Sequence, residues 1–470
     1  MTGHATSGNS RSLLMKNARV LDGLGAVKGA QCIHIEAGKI VEIGRDVSIK
    51  GLPVLDVAGA TVLPGLIDAH VHLQSVPGAV FRKDSEEALR KYRYHQLRAY
   101  LACGVTSVLD NAISSLMLRE FQDYLSAGGI GPHLYALAPA FYPPDGYLDH
   151  GMLTPYWGPQ WRAAGSKEDI LSLFDEYKGT NNIVGVKVLL ETGFGKSRIW
   201  PLHSPEIRKI IMDEASERGL PLYIHAYKEK EQAIGLEMGV HTFVHSGFIF
   251  KQPKSDFLER MKEQGTYVAT TLSCSFDQML VNFELERLDD EYLRLTVPDE
   301  LLQTARNLEA WDAYYDTFFK TSFPKWMPSV IRKAITRMLN IEKMIRSCLD
   351  NASRALVTMH ESGIPVVVGT DASSWPVFLN FFHGTSTIRE MELLVEAGMS
   401  PMDVIASATR IPAKMMGLEE LIGTIEPGKR ADLVVVRGDP LEDISALKSV
   451  AWTIKEGEAH PPEEWMSMDV

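Results

Sequence analysis

The sequence predicts a (β/α)8 TIM barrel, of the α/β class, carrying a small β-sandwich built from both chain ends. Three observations lead there. Eight apolar runs alternate with helical segments through the middle of the chain, both ends have a β-rich texture, and polar residues recur at the C-terminal ends of the middle runs.

Residues 1–12, "MTGHATSGNSRS", are polar and expected to be disordered. The segments "SLLMKNARVLDG", "CIHIEAGKIVEIG" and "VLDVAGATVLPG" then alternate as strands do, with "AGK" as a hairpin turn. Near the C-terminus "GTIEPGKRADLVVVRGDP" and "SVAWTIKEGEAH" share that texture, so residues 13–63 and 421–470 are expected to form one composite sandwich. The barrel strands are expected at 65–70, 104–111, 133–141, 183–190, 220–226, 242–247, 266–272 and 364–372, within a barrel domain of 64–420. About 90 residues separate the last two, far more than one loop and helix need. An aromatic-rich helical insertion at 275–350 is therefore expected, as a lid over the catalytic face or as a hairpin on the outer ring.

With 470 residues and 45% hydrophobic content, the chain has ample length for a large core. Its net charge of -12 and the lack of a basic stripe argue against nucleic acid as a partner. Four scattered cysteines suit a reducing compartment and read as small buried apolar residues. The N-terminus lacks the apolar core of a secretory signal, and no apolar run approaches the roughly 20 residues that span a bilayer. A cytoplasmic location, no membrane partner and a homo-oligomer acting on a small molecule are expected.

The chemistry lies at the strand ends: His70 and His72 on the first, Lys187 on the fourth, His225 on the fifth, His245 on the sixth, Asp371 on the eighth. A lone histidine in apolar sequence is more often a hydrogen-bonded core residue than a ligand. Six polar groups at one depth would compete for too few partners, whereas imidazole and carboxylate together suit zinc and similar divalent ions. Lys187 has only donors and cannot ligate a cation as an ammonium. It is either a charged or proton-transferring group beside one metal, or a lysine carrying CO2 as a carbamate between two.

"PGLIDAHVHL", "VKVLLETG", "YIHAY", "FVHSG" and "VGTDAS", in that order, resemble the metal-binding signatures of the amidohydrolase superfamily. The tail from Val395 to Ile444 is similar to that of its imidazolonepropionase-like branch, which includes prolidase-type dipeptidases and hydrolases of xenobiotic amides and ureas. The resemblance implies two divalent ions, zinc first and cobalt, manganese or iron as alternatives. His70, His72 and Asp371 would hold the more buried ion, His225 and His245 the other, and carbamylated Lys187 would bridge them. Asp371 would be the general acid/base, and His150 would stand for a histidine that contacts the substrate carbonyl in relatives. The sequence departs from relatives in having "GYLDHGML" where many have "GGHG", and "VLLETG" after Lys187.

Tyr142, Tyr156, Trp157 and Tyr227 are the candidate substrate-binding residues, and the aromatic loops around them predict a greasy pocket. A hydrophobic amide, carbamate or urea is expected as substrate. The alternatives are a dipeptide or N-acyl amino acid, a mononuclear deaminase, and an inactive scaffold.

Overall fold

The computed structural model describes residues 11–150, 161–193, 200–320, 323, 326–338 and 340–468. The first five strands are β1 (Leu13–Leu21), β2 (Val27–Glu36), β3 (Lys39–Gly44), β4 (Val54–Asp56) and β5 (Thr61–Pro64). The hairpin between β2 and β3 turns at Ala37 and Gly38, both with positive φ, the backbone that a two-residue turn in a right-twisted ribbon requires.

Eight strands then follow: β6 (Leu66–Val71), β7 (Val105–Asp110), β8 (His133–Phe141), β9 (Ile183–Leu189), β10 (Leu222–His225), β11 (Thr242–Phe243), β12 (Tyr267–Ala269) and β13 (Val366–Val367). They pair in parallel, in chain order. The sheet closes on itself where Ala69 N donates to Val368 O at 2.9 Å and Asp371 N to His70 O at 2.6 Å. Helices lie between successive strands, and Ser85, Ser114, Ser166 and Ser204 cap four of them by accepting a backbone N–H of the first turn.

All eight predicted strands are present, but the fifth is shorter than predicted and the last three are cut to two or three residues. Their C-terminal residues leave the ladder, and Thr271 and Asp371 do so with φ of 50° and 67°. In that left-handed backbone a residue no longer alternates with its neighbours, so its side chain can be turned towards the barrel mouth.

The chain returns to the small β unit through β14 (Leu433–Val436), β15 (Val450–Lys455) and β16 (Glu458–His460). β14 pairs antiparallel with β5, joining the two chain ends in one sheet around Met15, Val20, Ile33, Val62, Leu433 and Ile454. Between the two units stands Gly65, where an added Cβ would lie 2.1 Å from Thr106 Oγ1. Only glycine lets β5 pass into β6 so close to β7.

Between β12 and β13 the chain forms several helices, including Leu308–Lys320, Ser329–Met338 and Ile341–Glu361. Trp311, Tyr314 and Tyr315 pack there with Ala372, Trp375 and Phe378, just beyond β13. The insertion thus shares a core with the loops at the C-terminal end of the barrel.

Candidate metal centre

At that end the structure gathers the six strand-end residues. His70 and His72 both reach one oxygen: His70 Nε2 is 3.2 Å and His72 Nε2 2.9 Å from Asp371 Oδ1. The His245 ring lies 5.0 Å from that of His70 and 4.6 Å from that of His225. Lys187 on β9 is buried and lines the same cavity as His72, His225, His245 and Asp371. Among the described residues, the ligand atoms of His70, His245 and Asp371 all fall within 4.8 Å of one another.

Neighbours orient each group. His70 Nδ1 lies 2.8 Å from the Val244 carbonyl, which can only accept, so Nδ1 carries the proton and Nε2 the lone pair. Nε2 is buried with no hydrogen-bond partner among the described residues, facing a carboxylate oxygen. Two acceptors at that distance repel unless a proton or a cation lies between them. Burial pushes the His70 imidazolium down to about 3, which disfavours the proton. A cation therefore suits this geometry.

Asp371 donates its backbone N–H to β6, and its Oδ2 accepts from the Cys274 thiol at 3.1 Å. Burial acts to raise its carboxyl, but positive charge on the His70 and His72 side holds it well below the ordinary carboxylate range, the part a cation would play beside a neutral His70. Burial pushes the Lys187 ammonium down to about 7, against the opposing pull of Asp371 and Asp110. A neutral amine is thus accessible near pH 7, as carbamate formation requires. Gly369 makes room for this cluster, since a Cβ there would lie 2.8 Å from the His70 Cβ.

Several contributors were not legible in the sequence. Asp110, at the end of β7, accepts from Leu73 N at 2.8 Å and lies 4.0 Å from His72 Nδ1. Glu191, buried and without a role in the sequence reading, lies 3.3 Å from His225 Nε2 and accepts from Gly193 N. Asp68 accepts from Thr370 N, Thr370 Oγ1 and Thr387 Oγ1, tying β6 to the loop that carries Asp371. Carboxylates at strand ends were the available signal. Cys274 corrects the reading of the cysteines: it is buried, but beside Asp371 in the cavity wall rather than in apolar packing alone.

The cavity above the cluster, about 260 Å³, is lined mainly by apolar side chains, among them Tyr147, Leu189, Met279, Tyr314, Trp375 and Phe378. Lys187 is the sole Lys or Arg among its described lining residues. Tyr227 lines it with its hydroxyl 3.1 Å from His245 Nδ1. Tyr142 packs below, its hydroxyl donating to the Trp161 carbonyl at 3.3 Å, and is not among the lining residues. Tyr147, which the sequence reading passed over, stacks on His225 at 5.5 Å. Tyr156, Trp157 and the His150 side chain lie outside the described residues.

The Amidohydrolase family profile matches residues 61–459. The chain belongs to the amidohydrolase family. The structure is similar to that of a Xaa-Pro dipeptidase crystallised with bound methionine, with a TM-score of 0.70 and 23% identity over 96% of this chain and 100% of that one. A molinate hydrolase gives a TM-score of 0.70 at 18% identity, covering 97% and 96% of the two chains. Phenylurea hydrolase B gives 0.68 at 17%, covering 98% and 99%. At these identities the likeness concerns the fold. A dihydroorotase from Syntrophotalea carbinolica is 37% identical over 78 residues, 17% of this chain and 18% of the relative. The chain thus matches about a fifth of the length of that curated relative.

Within the family this amidohydrolase has a histidine-rich polar floor under an apolar vault. Its residues fit a divalent metal on their own chemistry: a His70 imidazole with its tautomer fixed by a carbonyl, a buried nitrogen on that ring without a partner among the described residues, and an ionised carboxylate facing it.

Proposed function

We propose that the chain hydrolyses an amide, carbamate or urea bond in a neutral, hydrophobic substrate. The apolar cavity carries this reading, because the only Lys or Arg among its described lining residues is Lys187, beside the histidine cluster. A dipeptide or N-acyl amino acid brings a free carboxylate, which needs Arg or Lys near the entrance. The likeness to molinate and phenylurea hydrolases accords with the reading, and the likeness to a Xaa-Pro dipeptidase is the reason for testing dipeptides.

His70, His72 and Asp371 would hold one divalent ion, zinc by preference, and His225 and His245 a second, with Lys187 as a bridging carbamate. Such ions polarise a carbonyl and make a nucleophilic water available near neutral pH. The chain's own part is proton handling and placement. The Asp371 carboxylate takes the proton from the attacking water and returns it to the leaving nitrogen. Tyr147 and Trp375 offer aromatic faces to the substrate, and the insertion, proposed as a roof, keeps bulk water away. For Lys187, the neutral Nζ lone pair would attack the carbon of CO2, forming an N–C bond as one C=O π pair moves onto oxygen, and the nitrogen would release one proton to leave an anionic carbamate.

Assaying anilides, phenylureas and carbamates beside dipeptides and N-acyl amino acids tests the proposal. Turnover of the neutral aryl compounds supports it. Turnover confined to substrates with a free carboxylate overturns it.

A further inference from the structure

Helix Ser329–Met338, in the insertion, presents an apolar stripe to the outside. Val330, Ala334 and Met338 fall one helical turn apart on one stripe and all are exposed, Val330 at 76% and Met338 at 86%, with Ile331 beside them at 48%. Trp326, just ahead of the helix, is 79% exposed. Arg332 faces the protein instead, its guanidinium donating to the Asp316 carboxylate and the Met327 carbonyl, both at 3.1 Å. A helix that faces apolar residues outward and an arginine inward has a missing partner.

Charge indicates which partner. Residues 320–346 contain seven Lys or Arg and a single acidic residue, Glu342, in a chain whose net charge is -12. Arg332 and Arg346 are held by the carboxylates of Asp316 and of Glu284 and Glu342, so the positive charge of the segment rests on Lys320, Lys325, Lys333, Arg337 and Lys343. In a two-fold pairing of chains the same basic segment would meet itself, so a second copy is disfavoured. A basic amphipathic segment with a flanking Trp suits the interface of an anionic bilayer, where apolar side chains enter the acyl boundary and cations meet phosphate headgroups. The helix has 10 residues, too few to span, so the contact lies in the surface plane. Two exposed side chains in the cavity lining, Phe250 at 80% and Met344 at 39%, extend apolar surface from the cavity to the outside.

We propose that the Trp326–Met344 face of the insertion docks on anionic phospholipid surfaces. The sequence led to the expectation of no membrane partner, and this docking would reverse it. The docking stands independently of the substrate assignment, because binding to lipid is read without turnover.

Flotation of the full chain with phosphatidylcholine vesicles, with and without one-third phosphatidylserine, tests it. Binding to the phosphatidylserine vesicles is expected, at least roughly tenfold above that to phosphatidylcholine alone and falling with salt. Val330→Ser combined with Met338→Ser, and separately Trp326→Ala, are each expected to lower the bound fraction severalfold with Tm unchanged. Equal binding to both vesicle types, or variants that bind as wild type does, overturns the proposal. So does a dimer in wild type that the double variant dissociates while neither protein floats, which would make a second copy the occupant.

Discussion

Glu191 Oε2 lies 3.3 Å from Nε2 of His225, and both side chains are buried. The carboxylate can only accept, so the proton sits on Nε2 and Nδ1 keeps the lone pair that a metal would use. Glu191 is therefore a positioning residue. Glu191→Gln is expected to weaken retention of one of the two ions by about 10–100-fold. Metal analysis after dialysis should fall towards one ion per chain, and excess metal should restore most of kcat. Unchanged metal content would remove Glu191 from this role.

Lys187 links pH to stability. Its ammonium is pushed down to about 7 by burial in the folded chain, while the unfolded chain keeps the ordinary value of 10.5. Between those values the unfolded state binds more protons, so the metal-free protein gains stability as pH rises through that window. The gain is about 1.4 kcal/mol per pH unit at most. Lys187→Met should lose this rise, read from urea midpoints across the window. The same variant should fail to retain two ions, and bicarbonate should speed metal loading of wild type only.

The Cys274 thiol donates to Asp371 Oδ2. Removing a donor to a carboxylate disfavours its anion and raises its pKa. The acidic limb of kcat/KM is expected to move to higher pH in Cys274→Ala and to return in Cys274→Ser, which keeps a donor. A limb that stays in place in both variants would mean that Cys274 only packs.

Gly369→Ala places a Cβ where the His70 Cβ already stands at 2.8 Å. Overpacking of this kind costs about 1–3 kcal/mol. Because His70 is the group displaced, metal content should fall along with Tm. A fall in Tm with full metal content would show that strand β13 gives way instead.

The eight strands and six strand-end residues were legible because their signals are local. Apolar runs of strand length mark β6 to β13, and polar residues closing such runs mark His70, Lys187 and Asp371. Strand lengths were less legible: the run 364–372 looks uniform, yet the ladder stops at Val367 and Asp371 departs through a positive φ. That turn is set by the neighbouring β6 backbone, which no local pattern records.

By itself, the sequence determined the barrel, the β-rich unit from both chain ends and the identity of the polar cluster, since alternation and apolar length act between residues close in the chain. Tertiary structure decided which atoms of that cluster face one another. Glu191 and His225 are 34 residues apart, Cys274 and Asp371 97, and Asp68 and Thr370 302. Such contacts exist only once the barrel has closed. Tertiary packing likewise set the orientation of helix Ser329–Met338, whose apolar stripe faces outward while Arg332 pairs inward with Asp316.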